Sequence, residues 1–340
     1  LQEKTLSVQT DGIEQIRVSL GTAIVLGLLK GKLDAEPTTA YLMMYKKGKC
    51  TANCGFCPQA KESKSSTELL SRVSWPTFLT ANILTSLEAA VNQRKIKHVC
   101  IQALNYPQVF SQLKTLVKEI KKQVNISVSV SCQPLVKENI KLLSESNVDR
   151  IGIALDAANA TLFEKVKGKG TGSSYTWKNQ FRILDEAIEV FGKGNVSTHV
   201  IVGLGETEKE VTQVIQKCVD MSILPALFAF TPIRGTALEY CSPPSIESYR
   251  RVQLARYLIV KGASRFDTMK FDNEGKISDF NIPMQELKPI IESGEPFLTS
   301  GCKDCNRPYY NEKPSGPIYN YPKKQSKEEL EKIKQQLNCC

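Results

Sequence analysis

The sequence predicts an α/β fold, a (β/α)8 barrel of the TIM type, from three observations. Short β-rich runs alternate with longer segments of helical period over most of the chain. The alternation repeats eight times, and 340 residues is an ordinary length for one such barrel. Strands separated in this way pair in parallel through right-handed crossovers. A partial (β/α)6 barrel is the alternative.

The elements follow in order. Residues 42–45 (Leu-Met-Met-Tyr) are the first predicted strand, and 75–93 the first helix. Residues 97–102 (Lys-His-Val-Cys-Ile-Gln) are the second strand, followed by a helix over 107–122. The third pair is 126–132 and 135–145, and the fourth strand is 150–155. A polar, Gly-rich connection over 167–174 leads to a helix at 177–191. The remaining strands are 196–202, 226–230, 268–272 and 296–300, with helices at 206–221, 246–260 and 283–291 between them. After Gly301 the composition shifts to Pro, Tyr, Asn and Gly, and a short charged helix then runs to Cys339 and Cys340. Three regions result: an N-terminal helical extension (1–38), the barrel (39–301) and an ordered Cys-containing C-terminal tail (302–340).

Composition narrows the function. Apolar residues are 41% and charged residues 24%, as in soluble globular proteins. The apolar run from Thr22 to Leu29 is too short to cross a bilayer, and polar and acidic residues precede it. A cytoplasmic protein without a membrane partner is expected, with further residues ahead of Leu1. Lys and Arg outnumber Asp and Glu by 45 to 35, a net charge of +10, which suits an acidic partner or anionic ligands. Apart from Lys323, Lys324 and Lys327 the basic residues are spread out. No nucleic-acid-binding motif accompanies them, so no nucleic-acid partner is expected. The 11 Cys and 2 His point to a metal held by thiolates, in Fe–S clusters or structural zinc.

Cys50, Cys54 and Cys57 place three thiols within eight residues, just after the first predicted strand. That loop lies on the C-terminal face of the barrel, where this fold builds its active sites. Three thiolates can hold three irons of a [4Fe–4S] cluster and leave the fourth open. Structural zinc wants four ligands, usually as two separated pairs, and no fourth ligand is nearby.

At these residues the chain resembles the radical S-adenosylmethionine (SAM) superfamily, whose signature is Cx3Cx2C. Phe56 matches the aromatic position that lies against the adenine in that family. The resemblance implies that SAM chelates the open iron, and that its reductive cleavage yields a 5′-deoxyadenosyl radical able to take hydrogen from an unactivated carbon.

From about Tyr45 to Cys302 the chain is similar to the biotin synthase branch of that superfamily. The stretch Ile201-Val202-Gly203-Leu204-Gly205-Glu206-Thr207 resembles the family's turn along the adenosine, with Val202, Gly203 and Glu206 as the corresponding contacts. Read alone, it is a strand-to-helix turn with Glu206 in the first helical turn. Asp156 resembles the ribose-contacting carboxylate, or caps the next helix. Ala154 stands where the family has Asn. Gln102 and Ala103 fall where relatives bind the SAM ammonium, without the usual Gly-Gly-Glu. Residues 233–236 (Ile-Arg-Gly-Thr) resemble the family's Gly-Thr turn.

Biotin synthase carries a second, sulfur-donating cluster on three strand cysteines and an Arg. Cys100 and Cys132 match the first two ligands, Ser197 stands at the third, and Arg265 matches the Arg position loosely. A second motif follows the barrel: Gly301-Cys302-Lys303-Asp304-Cys305-Asn306-Arg307-Pro308. This stretch resembles the archaeal two-subunit lipoyl synthases. The resemblance implies sulfur insertion into a protein-bound octanoyl chain, with Cys302 and Cys305 holding an auxiliary Fe–S cluster on the C-terminal face. Further ligands are expected from Cys100 and Cys132, or from Cys339 and Cys340. For Cys100 and Cys132 the alternative is a small buried hydrophobe; for Cys302 and Cys305 it is half of a zinc site. Cys218 and Cys241 are expected to be structural. The implied partners are an octanoylated acidic carrier (lipoyl) domain, a second lipoyl synthase subunit and an electron donor such as ferredoxin.

Overall fold

A computed structural model describes residues 13–337. In chain order its strands are β1 (Gln15–Val18), β2 (Thr39–Met44), the hairpin β3 (Leu69–Leu70) and β4 (Val73–Ser74), and β5 (Thr77–Leu79). Then come β6 (His98–Gln102), β7 (Ser127–Ser131), β8 (Arg150–Gly152), β9 (Val196–Val202), β10 (Leu224–Ala229), β11 (Lys270–Phe271) and β12 (Ile277–Asp279). The central sheet has the order β10-β9-β8-β7-β6-β2-β1-β5. The run from β2 to β10 is parallel, while β1 pairs antiparallel with both β2 and β5.

The sheet is therefore an open one, with six parallel strands in place of the eight of a closed (β/α)8 barrel. Two expected strands leave it. Residues 268–272 contribute β11, which among the described residues pairs only with β12, in a separate hairpin. Residues 296–300 begin with a turn of 3-10 helix, Glu295–Phe297, because Pro296 cannot donate to a strand ladder. The outer edge of β10 is satisfied by side chains instead. Ser300 Oγ accepts from Leu227 N at 2.7 Å, and Arg256 Nε donates to Pro225 O at 2.7 Å. The N-terminal segment also departs from a purely helical extension. It holds a short helix, Leu20–Val25, but β1 enters the sheet.

The helices flank the sheet through amphipathic faces. Helix Val109–Gln123 buries Val109, Leu113, Leu116, Val117 and Ile120, the spacing of one helical stripe. In β9, Val196, Thr198, Val200 and Val202 are buried among the core, while Ser197, His199 and Ile201 face an internal cavity. The same alternation places Tyr41 of β2, Cys100 and Gln102 of β6, Ser129 and Ser131 of β7 and Phe228 of β10 on the cavity wall. The sheet thus curls around one cavity.

The segment 300–312 runs from the end of β10 to the β3–β4 hairpin. On one side Thr231 Oγ1 donates to Asn311 O at 2.8 Å. On the other, Ser71 Oγ donates to Tyr310 O at 3.2 Å, and Arg72 Nη1 donates to Tyr309 O at 3.0 Å. A tail segment fills the place of the missing strands.

Candidate functional site

The loop after β2 is built to hold its three cysteines at the C-terminal mouth of the sheet. Cys50 N donates to Gln59 O at 2.9 Å, and Cys57 N donates to Cys54 O at 3.0 Å. Gly55 N donates to Val166 O at 2.8 Å, tying the loop to the far wall. Gln59 Nε2 donates to Thr67 O and Leu69 O, both at 2.6 Å. The turn at Gly235 backs this loop: its carbonyl accepts from Lys64 N at 2.7 Å. Gly235 has φ +84°, and an added Cβ would lie 2.5 Å from Ser65 N, so glycine is required there.

Cys50, Cys54 and Cys57 all line the cavity. Cys50 Sγ accepts from Asn105 N at 3.1 Å and Ala52 N at 3.4 Å. Enclosure by the cavity walls pushes the Cys54 thiol far above its ordinary range, with Cys57, Asp156 and Cys50 adding to the rise and Lys167 opposing it. Enclosure likewise pushes Cys57 up to about 12. Thiols so placed ionise only beside a cationic group, which is the demand an iron cluster meets. Among the described residues no three His, Cys, Asp or Glu side chains converge on one metal ion. A cubane asks less, since each thiolate takes a different iron. The donor set fits a cluster of that kind.

A second group of thiols faces the same cavity from the opposite end. Cys302 and Cys305 lie not on the C-terminal face, as expected, but at the N-terminal ends of the strands. Thr38, just before β2, donates its Oγ1 to Asp304 O at 2.6 Å, and its N donates to Asn306 Oδ1 at 3.1 Å. The tail enters from below because its carbonyls and Asn306 find their partners on the chain leading into β2. Cys100 reaches the same end from β6. Burial pushes Cys100 up to about 12, raised further by Cys305 and Cys302 and lowered by Ser129 and Arg307. Cys132 stands apart: it lines the cavity just after β7, and burial alone raises its thiol. Cys218 is buried in helix Glu208–Asp220, Cys241 is exposed, and Cys339 and Cys340 lie outside the described residues.

The other expected site residues divide. Phe56, Gln102, Ala103 and Asp156 line the cavity, whereas Val202, Gly203 and Glu206 do not. Gln102 turns its Nε2 to Cys100 Sγ at 3.1 Å. Asp156 does not cap the following helix; Asn159 does, its side chain accepting from Leu162 N at 2.8 Å. Asp156 instead pairs with the buried Lys167 at 2.7 Å, in a left-handed backbone conformation at φ +68°. Glu206 is not in a helical turn either. The helix starts at Glu208, with Thr207 and Glu210 as a capping box. Glu206 accepts from Gly203 N at 2.6 Å and Leu204 N at 3.0 Å, and burial raises its carboxyl. Gly203 has φ +104°, and a Cβ there would meet Pro244 Cδ at 2.6 Å. Arg265 is exposed and pairs with Asp220 and Asp267.

Sequence reasoning missed several cavity residues. Lys167, Tyr175, His199, Arg307 and Tyr310 all line it. His199 was legible through the period-two pattern of β9. Burial lowers its imidazole to about 4, so the ring is neutral at ordinary pH. Arg307 lies within the second motif. Its Nη2 donates to Ser300 O at 3.1 Å, and its guanidinium stacks over Phe228 at 3.8 Å.

The Radical SAM superfamily model matches residues 45–218, a stretch that contains the first thiol group and the strands β6 to β9. The chain belongs to the radical SAM superfamily. Membership implies a [4Fe–4S] cluster and SAM as cofactors. Among curated relatives, the biotin synthase of Sulfurihydrogenibium sp. is 26% identical over 58% of this chain and 56% of its own length. That of Persephonella marina is 26% identical over the same shares. That of Hydrogenobaculum sp. is 27% identical over 78% of this chain and 76% of its own. The chain thus spans little more than half the length of the first two. Among solved structures, methylornithine synthase superposes with a TM-score of 0.51 at 11% identity, covering 71% of this chain and 66% of that one. The hydrogenase maturase HydG of Carboxydothermus hydrogenoformans gives 0.50 at 15% identity, over 71% and 55%. These likenesses show a shared α/β fold with a mostly parallel sheet. No helix among the described residues is long and apolar enough to cross a membrane.

Proposed function

We propose that this radical SAM enzyme inserts sulfur at an unactivated carbon held between the two thiol groups. The observation that carries this reading is the single cavity with Cys50, Cys54 and Cys57 at one end and Cys100, Cys302 and Cys305 at the other. When bound, the cluster and SAM at the first group supply a carbon radical that removes hydrogen from the substrate. Cys100, Cys302 and Cys305 would hold an auxiliary Fe–S cluster, which would supply the sulfur. The chain's own residues do the rest. The sheet and the tail segment 300–312 enclose the site and exclude water. Phe228, Phe230 and Tyr310 offer apolar walls to an alkyl substrate. Phe56, Ala103 and the Asp156–Lys167 pair line the end nearer the first group, where SAM would be bound. In this reading Gly203 and Glu206 shape the turn after β9 without touching the ligand.

Two substrate classes are in play. The curated relatives favour a free small molecule of the kind a biotin synthase acts on. A specific observation favours the other class, a protein-bound octanoyl chain. Ser197 faces the cavity where the biotin synthase pattern needs a cysteine, and the lipoyl-synthase-like tail stretch supplies two cysteines instead. An octanoylated acidic carrier domain would suit the net charge of +10. A second subunit and an electron donor such as ferredoxin complete that reading.

The test is reconstituted protein, SAM and reductant, offered dethiobiotin or an octanoylated lipoyl-domain peptide in parallel. Mass spectrometry reads added sulfur. Sulfur on one substrate selects its class. SAM cleavage with sulfur on neither, and iron for one cluster only, would end the sulfur-insertion reading.

A further inference from the structure

We infer that Tyr41 is a positioning residue for the second thiol group, donating its hydroxyl hydrogen to the sulfur of Cys305 and raising the reduction potential of the cluster bound there. The inference rests on the proposed auxiliary site.

Tyr41 lies in the middle of β2, directly opposite Cys100 on β6. Its hydroxyl is 3.3 Å from Cys305 Sγ. Either atom of that pair can donate, but a second contact decides the direction. Arg307 N donates to Tyr41 Oη at 2.9 Å. The oxygen is thereby occupied as an acceptor, and its own hydrogen is left for Cys305. A cysteine that ligates iron has no hydrogen to give, so it can only accept.

The backbone holds this arrangement in place. Tyr41 N donates to Thr22 Oγ1 at 3.0 Å, and Tyr41 O accepts from Ser19 N at 3.0 Å. Tyr41 is buried. Arg307, whose N–H aims the hydroxyl, is itself fixed through Ser300 O and Phe228. Gln102 treats the neighbouring sulfur in the same way, placing Nε2 3.1 Å from Cys100 Sγ. The first thiol group has another kind of donor: the contacts to Cys50 Sγ come from backbone N–H groups.

A hydrogen bond to a ligating sulfur stabilises the more negative, reduced state of a cluster, so it raises the potential. The group at Cys305 should therefore be easier to reduce than it would be against a bare apolar wall.

The experiment compares the reconstituted full chain with its Tyr41→Phe variant. Iron and sulfide are counted, and both clusters are titrated by electron paramagnetic resonance. The signal that changes on adding SAM marks the first group. In Tyr41→Phe the SAM-insensitive cluster should shift to a more negative potential, and the SAM-responsive one should stay. Deuterium exchange gives a second reading. One exchangeable-deuteron coupling to the SAM-insensitive cluster should vanish in the variant. Two clusters with unmoved potentials and unchanged coupling would overturn the role of Tyr41 alone. Equal shifts in both clusters would also overturn it, as a general structural effect. A single cluster in the unaltered protein would remove the auxiliary site and the inference with it.

Discussion

The two thiol groups share a cavity and are made in opposite ways. Cys50, Cys54 and Cys57 sit on one loop, braced by backbone bonds within the loop and to Val166 O. Cys100, Cys302 and Cys305 come from a central strand and from a tail that meets it only through the fold. The first group is met by backbone donors, the second by side chains of β2 and β6. A local motif carries its own geometry, so it works wherever a strand end presents it. A composite site exists only if the sheet and tail close correctly, and its surroundings can be tuned one side chain at a time.

The largest expected effect separates the two groups outright. Cys54→Ala should lower SAM cleavage by more than about 100-fold, beyond the cost of losing an outer-shell contact to a metal site. Cys305→Ala should keep SAM cleavage while losing the iron and sulfide of the proposed second cluster. Iron analysis and a 5′-deoxyadenosine assay on both variants make the comparison. If the two variants lose the same cluster and the same activity, the division between the groups is wrong.

The next effect is on stability at the upper end of the cavity. Lys167 and Asp156 are a buried pair, with side chains 1% and 11% exposed. Lys167→Met leaves the carboxylate without its cation, which should cost about 3–5 kcal/mol. Adding Asp156→Asn should recover most of that loss. Urea unfolding of the single and double variants provides the measurement. A single variant as stable as the parent would show that the carboxylate finds another partner.

A smaller effect depends on pH and concerns the lower end. His98, at the start of β6, is buried with Nε2 2.8 Å from Ser129 Oγ. Burial lowers its imidazole from 6.5 to about 4, helped by Arg150 and opposed by Asp149 and Asp304. As pH falls through about 6.5, the unfolded chain takes up a proton that the folded chain refuses. Stability is therefore full above that pH and is lost progressively down to about 4, by an amount on the order of 1–3 kcal/mol. His98→Gln should flatten this loss between pH 7 and pH 5, with His199 supplying the remainder. Unfolding midpoints that fall equally in both proteins would exclude His98 as a source.

The six parallel strands and the first thiol group were legible because each is a local pattern. The alternation in β9 and the spacing of Cys50, Cys54 and Cys57 need no partner to be recognised. The seventh and eighth strands were not legible. Residues 268–272 and 296–300 have the composition of strands, but Pro296 and the hairpin partner β12 redirect them. The end of the cavity to which Cys302 and Cys305 belong was likewise hidden. It depends on Thr38 and Asn306, residues that carry no signal until the tail meets β2. Gln102 shows the same limit, since its position suggested the SAM end but its side chain turns to Cys100.

The smallest expected effect tests which arginine serves the composite site. Arg265 was the loose match to the biotin synthase pattern, yet its side chain is 53% exposed and bonds to the surface carboxylates of Asp220 and Asp267. Arg265→Ala should leave the unfolding midpoint unchanged, since exposed ion pairs contribute little. It should leave the SAM-binding cluster and the proposed second cluster, and their potentials, as they are. Arg307→Ala is the contrasting variant. It removes the stack on Phe228 and the bond to Ser300 O that hold the tail beneath Cys100, so the second cluster should be lost more readily on dilution. Retention of that cluster in Arg307→Ala, together with its loss in Arg265→Ala, would reverse the assignment. The seventh-strand region would then have to swing inward, and the tail segment would no longer be what closes the lower end of the cavity.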